Sequence, residues 1–210
     1  MEERTDIETL SRLLSDLPPG RRRIVAIAGA PGSGKSHVAE ALVEAVNARV
    51  PGRAAVLPMD GYHFDDAVLE ARGSRARKGA PDTFDVGGFA AMLVRLRGNA
   101  EEEVAVPVFD RAIEIARAGA RLIPRSVELI VAEGNYLLLD MPPWDRLDGL
   151  FDLTVRLDVP EAMLRQRLEA RWQGYGLPPG VVRTKMEEND LPNGRLVRAR
   201  SRPADLVLAN

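Results

Sequence analysis

Lys35 and Ser36 close the string Gly29-Ala30-Pro31-Gly32-Ser33-Gly34-Lys35-Ser36, a full G-x-x-x-x-G-K-S pattern. Glycines at this spacing let consecutive backbone N–H groups curl around an anion, and the helix that follows turns its positive end to the same point. The chemistry is the gripping of a nucleoside triphosphate, with the lysine on the β- and γ-phosphates and the serine hydroxyl on Mg2+. Residues 29–36 and the adjoining His37 are the candidate nucleotide-binding segment. Phosphoryl transfer also needs a group to orient the attacking oxygen, and Asp60, at the end of a short apolar run over residues 54–59, is the candidate general base for a substrate hydroxyl. Asp60-Gly61 equally suits a turn. Glu133 ends the apolar run Leu129-Ile130-Val131-Ala132 and is the candidate acid on the metal side, with Ser36 as its partner.

Further groups surround these. Tyr62 reads as pocket wall and His63 as a substrate contact or a packed histidine; with His37 it makes no metal-ligand spacing. Within residues 160–174, Leu164, Leu168 and Trp172 form an apolar stripe, while Arg167 and Arg171 share another face. Two arginines there can clamp triphosphate oxygens and stabilise transition-state charge, or form a solvated face. Arg165, between Glu161 and Glu169, reads as a helix ion pair.

The elements that must position these groups alternate. Residues 5–17 predict an amphipathic lead-in helix with a Thr5/Glu8 capping box, ending at Pro18-Pro19-Gly20. Apolar runs at 24–28, 54–59, 104–109, 127–132, 153–157 and 205–209 predict strands, four of which deliver Asp60, Asp110, Glu133 and Asp158. The spacing predicts an α/β fold, three-layer and doubly wound, with a mainly parallel sheet of the P-loop nucleoside triphosphate hydrolase type and a small helical lid. The expected organisation is one domain over residues 1–210, with lid and C-terminal helices over about 160–200 and a mobile segment over 71–83.

With 210 residues, 29 basic against 31 acidic side chains and a net charge of -2, the chain lacks the basic field that nucleic-acid binding requires. It has no cysteine, hence no disulfide or thiolate metal ligand, and no apolar run near the ~20 residues of a membrane span. A soluble, cytoplasmic protein acting on a small molecule is expected; the oligomeric state stays open, a homodimer included.

The ordered set of residues 29–36, Met59-Asp60-Gly61-Tyr62-His63, Gly79-Ala80-Pro81-Asp82-Thr83-Phe84-Asp85, Pro107-Val108-Phe109-Asp110-Arg111 and Glu133-Gly134-Asn135-Tyr136 resembles the P-loop kinases that include uridine kinase, phosphoribulokinase and bacterial pantothenate kinase. The wording is most similar to small proteins described as fructose transport system kinases. The resemblance implies phosphorylation of a small molecule's hydroxyl by ATP with Mg2+, the acceptor being a sugar, polyol or nucleoside-like compound. It matches Asp60 to the base, Glu133 to the metal-side acid, and Asp82, Phe109, Asp110 and Arg111 to acceptor-pocket segments. Gly61, Tyr62 and His63 depart from the uridine kinase wording, and pantothenate kinases of this type are longer. A GTP-hydrolysing switch is the rival class, but Asp85 and Gly88 give D-x-x-G without an N-K-x-D element. An inactive transport accessory would lack Lys35, Ser36, Asp60 or Glu133, and all four are present.

Overall fold

Strands buried on both faces need apolar side chains at consecutive positions, and two such runs occupy the middle of the molecule. The computed structural model describes residues 3–210. In chain order it contains β1 (Glu3–Thr5), α1 (Ile7–Ser15), β2 (Arg23–Ala28), α2 (Lys35–Arg49), β3 (Ala54–Pro58), α3 (Asp66–Ala71) and α4 (Val86–Gly98). There follow β4 (Glu103–Asp110), β5 (Ile115–Pro124), β6 (Leu129–Gly134), β7 (Leu153–Asp158), α5 (Glu161–Gly174), α6 (Pro179–Lys185), α7 (Leu191–Arg200) and β8 (Leu206–Ala209). Six strands make one parallel sheet in the order β1-β8-β7-β2-β6-β3.

Alternate residues of β2 and β6 face two different cores. Val25, Ile27, Leu129 and Val131 pack against Leu10 and Leu14 of α1 and Val38, Leu42 and Val46 of α2. Ile24, Ala26, Ile130 and Ala132 pack on the other side with Phe89, Leu93 and Leu96 of α4 and Val197 of α7. The three-layer, doubly wound expectation holds. The register aligns Ile27 with Glu133, Ala28 with Gly134 and Pro58 with Glu133, so the carboxyl ends of β2, β6 and β3 open onto one edge. Ligands of open parallel sheets bind at that edge.

Two expectations need correction. β4 is no member of the parallel sheet but pairs antiparallel with β5 as a separate ribbon, so its terminal Asp110 is not delivered to the sheet edge. Its first four residues alternate between exposed and buried, the mark of a strand with one wet face, and the register shifts around Pro107, which has no N–H to give a ladder. At the other end of the chain, Thr5 belongs to β1 and the cap of α1 is Asp6, whose carboxylate accepts from Thr9 N at 2.7 Å. Glu8 pairs with Arg12 instead of reaching back as a capping box would.

The region expected to form the lid is helical except at residues 175–178. A π-helical segment, Met186–Asp190, joins α6 to α7. Leu168, Val182, Met186 and Leu191 form a small core of their own, against which Trp172 packs. Arg165 pairs with Glu187 of the π-helical segment, and Glu161 with Arg195 of α7, so these charges tie the lid helices together and the expected Arg165 pairing within α5 does not form. Among the described residues no helix is long and apolar enough to cross a membrane.

Candidate active site

The phosphate-binding loop turns sharply between β2 and α2. Gly32 and Gly34 take φ of 80° and 83°, a left-handed region costly for any side chain. A Cβ at Gly32 would also sit 2.9 Å from Leu168 Cγ, so the glycine is what lets α5 pack on the loop. Arg167 Nη1 and Asn210 Nδ2 both donate to the carbonyl oxygen of Ser33, at 3.2 and 2.6 Å. Ser33 Oγ is buried without a partner. His37 lies one helical residue beyond Ser36 and is exposed.

Asp60 follows β3 in a tight 3-10 turn, Met59–Tyr62. Gly61 is required there, because a Cβ would come within 2.4 Å of the Pro107 carbonyl oxygen as β4 crosses the turn. That crossing carries Arg111 to Asp60, with Arg111 Nη2 donating to Asp60 Oδ2 at 2.5 Å. Burial acts to raise the Asp60 carboxyl, but His63, Arg111, Lys35 and Arg171 outweigh it and hold it below the usual carboxylate range. Glu133, 4% exposed, moves the other way: burial pushes its carboxyl up to about 7 against the opposing pull of Lys35. Lys35 itself is lowered by burial, which Glu133 and Asp60 resist. His63 Nδ1 lies 2.8 Å from the Asp60 carbonyl oxygen; since a carbonyl only accepts, Nδ1 carries the proton. Its ring packs against Phe84 and Phe109, at centroid distances of 4.0 and 4.8 Å. Burial lowers its pKa.

Two cavities meet at Asp60, Phe109 and Arg111. The larger, about 500 Å³, is lined by Pro31, Lys35, Asp60, His63, Phe84, Asn135, Arg171 and Trp172, together with residues 75–79 and 184–185 and 188–190. The smaller, about 150 Å³, contains Ser36 and Glu133. The structure therefore brings together Lys35, Ser36, Asp60, His63, Phe109, Arg111, Glu133 and Arg171.

Other expected residues stand apart from these cavities. Asp82 is 56% exposed at its side chain and pairs with Arg77 at 3.3 Å. Asp110 pairs with Arg117 at 3.0 Å and accepts from Ala112 N, as a ribbon end would. Tyr62, 8% exposed, packs edge-on against Phe89 in the core rather than on a cavity wall. Asp85 caps α4 by accepting from Gly88 N at 2.8 Å, which accounts for the D-x-x-G string without a nucleotide. Arg167 and Arg171 separate: the first holds the loop backbone, the second lines the cavity and stands over the Trp172 ring at 5.0 Å.

Sequence reading missed part of the wall. Asn189 Nδ2 donates to the Lys78 carbonyl oxygen at 2.9 Å, Asn193 Nδ2 donates to Asn189 Oδ1 at 2.9 Å, and Trp172 Nε1 donates to Asp190 Oδ2 at 2.7 Å. The signal available was the stretch Asn189-Asp190-Leu191-Pro192-Asn193 with its dense polar side chains, but the Lys78 carbonyl that Asn189 meets lies over a hundred residues upstream.

The donor set suits Mg2+ and a polyphosphate. Ser36 Oγ donates to Glu133 Oε2 at 3.1 Å, placing two hard oxygens together at the first turn of α2. Among the described residues no cluster of three or more His, Cys, Asp or Glu could hold a metal. A magnesium ion here would complete its shell from phosphate and water, which is its habit in phosphoryl-transfer sites. The Gly-rich turn, with Gly32 and Gly34 at positive φ, fits a polyphosphate.

No protein-family profile matches the chain. It is 34% identical to the protein YggC of Escherichia coli K12 over 197 residues, 93% of this chain and 81% of YggC. It is 30% identical over 210 residues to a "putative uridine kinase" of Schizosaccharomyces pombe, covering 96% of this chain and 88% of that one. Among solved structures, the "putative fructose transport system kinase" of Silicibacter sp. TM1040 superposes with a TM-score of 0.88 at 42% identity, over 97% of this chain and 98% of that one.

Proposed function

The chain belongs to the P-loop kinases of the uridine, pantothenate and phosphoribulokinase type and is an ATP-dependent small-molecule kinase; from that premise we propose that it phosphorylates a hydroxyl of a sugar, polyol or nucleoside-like acceptor, with Asp60 as general base. The observation that carries this reading is the position of Asp60 where the two cavities meet, one carboxylate oxygen held by Arg111 and Lys35 and Glu133 close by. Oδ2 is engaged by the guanidinium, which leaves Oδ1 for the proton of the attacking hydroxyl. The cations that lower its pKa make Asp60 a weak base, suited to transfer reactions in which orientation and charge neutralisation matter more than proton abstraction.

Each neighbour has a distinct part in this reading. Lys35 meets the β- and γ-phosphates, and Arg171, which lines the same cavity, stabilises charge on the transferring group. Arg167 is a positioning residue that fixes the Ser33 carbonyl and hence the loop. Ser36 and Glu133 would hold Mg2+, which supplies charge neutralisation at the phosphates when bound. Residues 161–200 act as the lid of a single kinase unit, and His63, Phe109 and Arg111 border the acceptor.

The test is ADP release from ATP and Mg2+ against fructose and other sugars, sugar phosphates, uridine, cytidine and pantothenate. Asp60→Asn should lower acceptor-stimulated turnover by about 10² or more while nucleotide affinity stays nearly constant. Unchanged turnover would remove Asp60 from the mechanism.

A further inference from the structure

Asn135 follows the Glu133–Gly134 end of β6 and is 9% exposed, yet its Oδ1 is buried with no hydrogen-bond partner. Buried amides are nearly always paired, so this one calls for a cause. Among the described residues the other buried side-chain atoms without a partner belong to Ser33 in the phosphate loop and to Tyr62, Asn99 and Ser201, none of which line the large cavity. Asn135 lines it together with Lys35, Asp60 and His63. The backbone explains how: a Cβ at Gly134 would lie 2.6 Å from Met59 Cβ, so the ends of β6 and β3 are pressed together. Asp60 and Asn135 are the next residues along each chain segment, and both line the larger cavity.

We propose that Asn135 is a specificity-determining residue that accepts a hydrogen bond from a second hydroxyl of the acceptor, close in the molecule to the hydroxyl that faces Asp60. The acceptor is therefore a 1,2- or 1,3-diol segment and not a monohydroxy compound. A hydroxyl suits this place because it both donates and accepts, and so completes the amide whichever way its oxygen and nitrogen point. This inference rests on the reading of Asp60 as the group that faces the acceptor.

The experiment uses fructose, ribose and uridine, each beside its monodeoxy analogues, with ADP release as readout for the wild type, Asn135→Leu and Asn135→Ala. For a parent compound that supports turnover, loss of one non-reacting hydroxyl should lower kcat/KM at least ~10²-fold in the wild type, because a site built to pair a hydroxyl rejects the analogue that lacks it. Both variants should bring that ratio within about threefold, with the KM for ATP little changed, and Asn135→Leu should melt at a higher temperature than the wild type without ligand. Equal use of every deoxy analogue by the wild type, or undiminished discrimination in the variants, overturns the assignment to Asn135 while leaving Asp60 its part. A wild type stimulated by none of the three parents overturns the reading of the acceptor site and this inference with it.

Discussion

Three carboxyls of the site show how burial and neighbours divide one functional group into different behaviours. Asp60 is held low by surrounding cations, Glu133 is pushed up to about 7, and Asp190 is raised by burial even though Trp172 Nε1 donates to it. For Asp190 the consequence can be read as stability. Its pKa in the fold lies above the unfolded value, so between the two the folded chain binds more protons, and stability falls as pH rises through that window. Asn at position 190 keeps an oxygen for Trp172 and removes the charge. Asp190→Asn should therefore melt at a higher temperature than the wild type at pH 7. The gain should shrink as pH falls through the ordinary aspartate range and close at about pH 3 and lower, where the carboxyl is protonated in both states. Calorimetric scans from acid to neutral pH check this, and a gain independent of pH would exclude charge as the cause. At this scale the sequence announced Lys35, Ser36, Asp60 and Glu133, because each sits in or directly after an apolar run or a Gly-rich string. Asn135 and Asp190 gave no such sign, since an unpaired amide or a buried acid depends on what surrounds it after folding.

Between elements, the decisive contacts join pieces far apart in the chain. The π-helical segment reaches across to residues 75–79 through Asn189, whose amide donates to the Lys78 carbonyl, while Lys78 pairs with Asp66 of α3 at 2.6 Å. Tyr136 OH donates to the Gly79 carbonyl oxygen at 2.6 Å from the other side. The π-helical segment and residues 75–79 are thus held by named hydrogen bonds, and the stretch expected to be mobile carries two 3-10 turns and forms cavity wall. Asn189→Ala removes two neutral bonds, of which the one to Lys78, worth about 1 kcal/mol, ties the two segments together, and its loss predicts a five- to tenfold higher KM for the acceptor. The KM for ATP should change less than twofold, because no Asn189 contact reaches the phosphate loop. Steady-state kinetics with both substrates varied separates the two constants, and equal rises in both would show a general loosening of the lid. Strand identities were legible here wherever both faces are buried, as in β2 and β6. The ribbon was misread because Val104 and Val106 were counted as an apolar run, when the exposed Ala105 between them and Pro107 after them already signalled an edge. β5 was overlooked since its exposed residues leave little apolar pattern.

For the molecule as a whole, the parallel sheet gathers the phosphate loop, Asp60 and Glu133 at one edge, and the C-terminal third closes over them. The loop is gripped from above by Leu168 at Gly32, Arg167 and Asn210 at Ser33, and Gly194 of α7, where a Cβ would lie 3.4 Å from Ala30. Seven basic and four acidic residues line the larger cavity of a chain whose net charge is -2, so positive charge is concentrated where the polyphosphate is expected. Because elements from both ends of the chain converge on the loop, a nucleotide bound there stabilises the folded state as a unit and not one segment of it. At a hundred times Kd the linkage amounts to about 2.7 kcal/mol, and at about 2–4 °C per kcal/mol the melting temperature should rise by roughly 5–10 °C with ATP and Mg2+. Lys35→Ala should lose most of that rise, since its ammonium lines the larger cavity and is the cation proposed to meet the phosphates, and its ligand-free melting temperature shows separately whether the variant folds. A Lys35→Ala protein that folds and keeps the full rise would mean that nucleotide binds elsewhere, and the convergence of lid, sheet and loop on residues 29–36 would then need another ligand.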